Sequence, residues 1–246
     1  MPSVNELAAE AGFVFEAVIQ NLGESTAAGY TASGPTAVVR ITKILKSTPT
    51  LAGYQGQRVT VELQAPVSLA AGQSAVFFTE GVHYGDGLVV RELGNVPPQP
   101  EMPSLVVNAV QDKERGALTQ RLTQADLIIS GVASELAPYP GAAPSAGGFR
   151  PISEHDPMWW QATVKVESVE KGTHIGATKT ILFASSRDIA WYQAPKVKEG
   201  DRGVWLLHNR DAQGKPVPAL AIVDPLDFQP MEELERLRTL LRASGQ

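Results

Sequence analysis

AVVRITKILKS, residues 37–47, and ATVKVESVEKG, residues 162–172, share one irregularity. In the first stretch apolar residues alternate at Ala37, Val39 and Ile41 and then step three positions to Ile44; in the second they alternate at Ala162, Val164 and Val166 and step three to Val169. A strand has a side-chain period of two, so a step of three exposes the wrong face unless one extra residue is accommodated, as a β-bulge does. The same break at the same place in two segments predicts a bulged strand used twice.

The repetition extends outward from these strands. ELAAEAGFVFEAV (6–18) aligns with QRLTQADLIISGV (120–132) at a shift of 114 residues, placing Ala11 on Ala125 and Val18 on Val132. Both read as a short helix running into a strand. Downstream, GQRVTVELQ (56–64) aligns with GATKTILFA (176–184) and GQSAVFF (72–78) with GDRGVWL (200–206), each copy ending in a strand near 87–92 or 217–223. The shifts of 114, 125, 120 and 128 imply insertions in loops, where chain length is tolerated. Any two all-β halves can be aligned to some degree; the shared bulge favours a true duplication. Helices are expected at 4–11, around 112–124 and at 231–243, where Leu234, Leu237, Leu240 and Leu241 form one stripe. The Asp-Gly of Tyr84-Gly85-Asp86-Gly87 suits a hairpin turn. The proline-rich VPPQPEMPS (96–104) reads as a linker that holds neither a helix nor a central strand, which puts the domains at 1–103 and 104–246.

Composition narrows the chemistry. The 246 residues allow one large domain or two small ones, and the absence of cysteine excludes disulfides, thiol nucleophiles, Fe–S clusters and cysteine zinc sites. A net charge of -5 with no basic run argues against a phosphate-tracking surface. Arg40, Lys43 and Lys46 on the first bulged strand, and Lys165 and Lys171 interrupted by Glu167 and Glu170 on the second, read as solvated strand faces, so nucleic acid is not an expected partner. No window reaches the roughly 18 apolar residues of a membrane span, and the N-terminus has no signal-peptide pattern. As it stands the sequence reads as soluble and cytoplasmic, or extracytoplasmic if a leader has been removed.

Five short strands that bury one face and must hide two edges close most economically into a small barrel, so the expected fold class is all-β with short helices: two tandem five-stranded OB-like barrels. A short helix, Ala-Asp-Leu-Ile-Ile-Ser-Gly-Val (125–132), a bulged strand ending Val-Glu-Lys-Gly (169–172) and Gly-Asp-Arg-Gly-Val-Trp-Leu-Leu (200–207) resemble the tissue-inhibitor-of-metalloproteinases/netrin-module group, in a bacterial, cysteine-free form. In the inhibitors of that group an N-terminal cysteine chelates the protease zinc. Here Met1 begins the chain and there is no cysteine, so the resemblance implies a fold and not that activity.

Copy two carries the embellishments, SELAPYPGAAPSAGGFRPISEHDPM (134–158) and SSRDIAWYQAPKVKEG (185–200). They hold the candidate binding residues Tyr139, Phe149, Arg150, His155, Asp156, Arg187, Trp191, Tyr192 and Lys196. Aromatic rings with arginine are the composition of binding anchors, while the alternative is that Trp191 and Tyr192 are lids over an open barrel end. Among His83, His155, His174 and His208 none pairs at metal-ligand spacing, and Asp156 before Pro157 reads as a turn residue. His208, beside VWLL, reads as a core or rim histidine held by a hydrogen bond. No nucleophile elbow, phosphate loop or HExxH motif is present, so no catalytic residue, cofactor or metal is expected. The expectation is a non-catalytic protein-interaction or structural module, with a small-ligand or glycan-binding protein, and then a metal-dependent enzyme, as alternatives.

Overall fold

The computed structural model describes residues 2–245 except 33, 65–68, 85–86, 143–155 and 212–213. The chain forms two compact units, Met1–Arg115 and Gly116–Gln246. Unit one comprises α1 (Val4–Glu10), β1 (Phe13–Leu22), β2 (Thr36–Lys46), β3 (Arg58–Glu62), β4 (Ser74–Tyr84) and β5 (Gly87–Val96). A helix α2 (Met102–Gln124) follows, then β6 (Leu127–Pro138), β7 (Trp159–Lys171), β8 (Thr178–Ala184), β9 (Arg202–Arg210), β10 (Pro216–Ile222), β11 (Phe228–Pro230) and α3 (Leu234–Ala243). The protein is mostly β, as expected.

The strands of unit one close a barrel in the order β1-β2-β3-β5-β4, with β3 and β5 parallel. Unit two has a six-stranded sheet, β10-β8-β7-β6-β9-β11, in which β8 and β10 are parallel and β10 also pairs with β9. Strands β6, β7, β8, β10 and β9 therefore follow the same ring order as unit one, with β11 added beside β9 near Trp205. Alternate residues fill each interior: Phe13, Phe15, Val39, Ile41, Val61 and Phe77 in unit one, and Leu127, Ile129, Val164, Ile181, Phe183 and Trp205 in unit two.

The bulges fall where the three-residue steps predict them. Along β2 the partners of Glu16 and Ala17 are Lys43 and Ile41, skipping Thr42; along β7 those of Ser130 and Gly131 are Ser168 and Val166, skipping Glu167. A second shared bulge skips Leu45 and Glu170. The likeness reaches single hydrogen bonds. Gly72 N donates to Ile19 O at 2.8 Å and Ile19 N to Gln73 O at 2.9 Å, while Gly200 N donates to Ala133 O at 2.9 Å and Ala133 N to Asp201 O at 2.8 Å. Gly72 and Gly200 have φ of 85° and 88°, a left-handed turn conformation that glycine adopts without steric cost.

Each bulged strand also ends on a lysine that caps the helix before the barrel. Lys46 Nζ donates to Ala8 O at 2.9 Å, and Lys171 Nζ to Leu122 O and Thr123 O at 3.1 and 2.6 Å. A cation on the last carbonyls of a helix satisfies orphan acceptors and opposes the negative end of the dipole. Burial lowers the pKa of both amines.

The helices show why packing divides the chain within α2 and not at the proline-rich stretch. On unit one, Leu7, Ala8 and Ala11 around α1 and Met102, Val106 and Ala109 of α2 cover Val14, Val76 and Phe78. On unit two, Leu118 and Leu122 of α2, Ala125, and Leu237 and Leu241 of α3 cover Ile128, Val204 and Leu206. Thus α2 is the closing helix of the first unit and the opening helix of the second, joined through the exposed residues 111–117. The reading of 96–104 as helix-free is corrected at its end: Met102, Pro103 and Ser104 form the first turn of α2, where a proline gives up no intrahelical hydrogen bond.

Candidate functional site

The insertion 185–200 of unit two lies over one wall of its barrel. Leu182 and Ala184 of β8, Ala221 of β10, and Val223 form an apolar surface on the face opposite the interior, and Trp191 and Ala194 bury it. Trp191 is 8% exposed and meets Trp159 edge-to-face at 5.5 Å. Half-buried Tyr139 packs at the same cluster. The corresponding wall of unit one is polar and covered differently, with Thr26 N donating to Thr60 Oγ1 at 2.8 Å and Tyr30 Oη to Glu62 Oε2 at 3.1 Å. Burial and the Glu62 carboxylate raise the Tyr30 pKa. The insertion thus covers apolar wall that unit one does not have.

Lys196 fastens the insertion from within. Its Nζ donates to the carbonyls of Ala184, Ser186 and Trp191 at 2.6, 2.9 and 2.9 Å, and burial pushes its pKa down. Ser186 Oγ accepts from Asp188 N, and Asp188 Oδ1 accepts from Ala190 N. Asp156 does what its place before Pro157 suggests, its Oδ1 accepting from Met158 N at 3.0 Å. Of the residues expected to bind, Trp191 is therefore committed to covering the wall and Lys196 to fastening the loop, whereas Arg187 and Tyr192 are exposed, as is Ile189. Tyr192 is 72% and Ile189 88% exposed. Phe149, Arg150 and His155 lie outside the described residues.

A buried polar cluster in the same unit escaped sequence reasoning. Asp227 is fully buried; its Oδ1 is 3.0 Å from His208 Nε2, and Arg121 reaches both carboxylate oxygens at 2.7 Å. Val223 N and Asp224 N donate to Oδ2 at 2.8 and 2.9 Å. This cluster ties α2, β9 and the turn after β10 together, and a carboxylate so fully satisfied is a structural joint. His208 is the core histidine that its apolar surroundings suggested. Only Asp224-Pro225 hinted at the turn that delivers Asp227, since Arg121 is 106 residues away.

Three cations of the bulged strands are likewise engaged by their own chain, Arg40 on Gly56 O and Lys46 and Lys171 on helix ends, and Glu167 pairs with Arg202 of β9. Among the described residues no three potential ligands converge as a metal site would require, and no helix is long and apolar enough to cross a membrane.

No family model matches the chain, and no curated protein matches it. A solved structure described as "Structural mimicry for functional antagonism" aligns with 86% of this chain and 91% of its own, at 10% identity and a TM-score of 0.20, too low a likeness to bear on fold or function.

Proposed function

We propose that the chain is a non-catalytic protein-interaction module built from two OB-type barrels similar to the cysteine-free netrin-module group, and that it presents its partner surface on the insertion of unit two. One observation carries this reading: Ile189 and Tyr192 project into solvent from a loop whose base is held by Trp191, Asp188 and the three hydrogen bonds of Lys196. Large apolar side chains on an ordered loop are available to a partner at little ordering cost, and a rigid aromatic with an arginine nearby, here Arg187, is the residue mix of interface anchors. The OB-type reading is supported by the ring order with its one parallel pair in each unit.

The test is a quantitative affinity purification from the native host with the wild-type chain, Ile189→Ser/Tyr192→Ser and Ile175→Ser as baits, the last a similarly exposed control between β7 and β8. Partners should be retained by the wild type and by Ile175→Ser and lost by the double variant. Recovery of the same proteins by all three overturns the assignment of the surface.

A further inference from the structure

The two units differ at one end of their barrels. In unit two Asp126, immediately before β6, accepts from Asn209 N at 2.8 Å and from Asn209 Nδ2 at 3.1 Å, so a side-chain pair bridges the start of β6 and the end of β9. The registers Phe13↔Thr79 and Leu127↔Leu207 place Gly12 and Gly81 at the same two positions in unit one. Neither glycine has a φ that disfavours other residues. Among the described residues a Cβ on Gly12 would meet nothing within 4 Å, and one on Gly81 only Leu51 Cδ1 at 3.7 Å. Backbone conformation does not demand these glycines, and the space beside them is open.

That space is a cleft of about 460 Å³ between the 3-10 turn Pro49–Tyr54 and β5. Leu51, Tyr54 and Leu88 give it apolar walls, and Thr48 and Thr50, whose hydroxyls lie 2.8 Å apart, complete its lining with Gly12 and Gly81. A second recess of about 260 Å³ shares Tyr54 and Leu88 with it and adds Gln57 and the exposed Arg58. Arg58 forms no ion pair among the described residues, and Arg40 is its neighbour across the β2–β3 ladder. An apolar body with a few polar groups at one end, of roughly 300–1,000 Å³, is the usual make-up of a small-molecule site. A guanidinium at the polar end favours a planar anion that can take two parallel hydrogen bonds.

We propose that the two neighbouring recesses of unit one, which share Tyr54 and Leu88, together bind a small amphipathic carboxylate, its apolar chain or ring lying against Leu51, Tyr54 and Leu88 and its carboxylate on the Arg58 guanidinium. In unit two Asp126 and Asn209 bridge the same place. This site is independent of the protein-interaction surface on unit two.

Octanoate and uncharged octanol serve as probes, titrated into the full chain and followed by amide chemical shifts. Saturable octanoate shifts are expected at residues 48–58 and around Gly81 and Leu88. Arg58→Gln should weaken octanoate about tenfold, the scale of one charge-assisted hydrogen bond, and leave octanol unchanged. Gly12→Asp/Gly81→Asn, which installs the pair that unit two tolerates, should abolish both titrations; if that variant does not fold, Leu51→Trp fills the cleft from the turn with the same expected loss. Absence of saturable shifts, shifts confined to other residues, or undiminished binding by the filled variant overturns the proposal.

Discussion

At the scale of single residues, two neighbours that look alike in sequence do different work. Trp191 buries its ring on Trp159 and the β8 wall, while Tyr192 points into solvent. Trp191→Ala should cost about 3–5 kcal/mol in urea unfolding, the range for a buried aromatic, and Tyr192→Ala less than about 0.5 kcal/mol. An aromatic in a polar insertion reads identically as anchor or as lid, because what decides between them is the apolar wall of Leu182, Ala184 and Ala221, parts of which lie 30 or more positions away in the chain. Asp227 was illegible for a similar reason: its partners come from three elements. Asp227→Asn leaves Arg121 and His208 facing a neutral group inside the protein, and should cost about 3 kcal/mol or more by the same unfolding measurement.

Glu170 supplies a residue-scale pH prediction. Burial pushes its carboxyl up, but hydrogen bonds from Arg238 and Ser168 and the nearby guanidinium charge outweigh burial and hold it below the ordinary 4.5. A carboxyl with a lowered folded pKa stabilises fully above its unfolded value and loses that contribution as pH falls through the folded value. The gap in urea midpoint between wild type and Glu170→Gln should therefore be widest near neutrality and shrink below about pH 4.5. A gap that stays constant down to pH 3 would contradict this assignment.

At the scale of elements, the bulged strands were the most legible part of the molecule. Side-chain parity is written directly into a strand's sequence, so the steps from Ile41 to Ile44 and from Val166 to Val169 locate the extra residues. Helix α2 was the least legible. Its apolar residues Met102, Val106 and Ala109 belong to one core and Leu118 and Leu122 to another, and the nine-residue step from Ala109 to Leu118 breaks the three-four spacing that marks a helix stripe. Pro103 meanwhile read as a terminator although it sits in the first turn. Gly116 lies in the exposed middle of this helix, and a Cβ there would meet nothing within 4 Å. Gly116→Ala should stabilise the protein by about 1 kcal/mol, the propensity difference between the two residues in a helix interior, measured as a raised unfolding midpoint.

At the scale of the whole molecule, one plan is executed twice, as a helix, a five-stranded ring and a closing helix, with matching bulges, turns and lysine caps. Function was less readable than fold because the departures from that plan are local. Unit two gains an insertion with exposed Ile189 and Tyr192, while unit one keeps glycines at positions 12 and 81 that its counterpart fills. A sequence comparison of the halves locates such differences, but only the packing separates those that cover a wall from those that leave a surface open.

The shared helix also orders events in time. A lone helix of a dozen residues is marginal in water because its first turn is costly to nucleate. During synthesis, the core residues of unit one are all present once Ala109 has emerged, and its barrel can anchor the first turns of α2 through Met102 and Val106. The residues around Leu118 and Leu122 then extend a helix that is already nucleated, before any strand of the second barrel exists. The first repeat is therefore expected to template the opening helix of the second. A chain ended at residue 124 should show helical amide shifts through its last turns, whereas a chain begun at residue 116 should refold more slowly than unit two does within the intact protein.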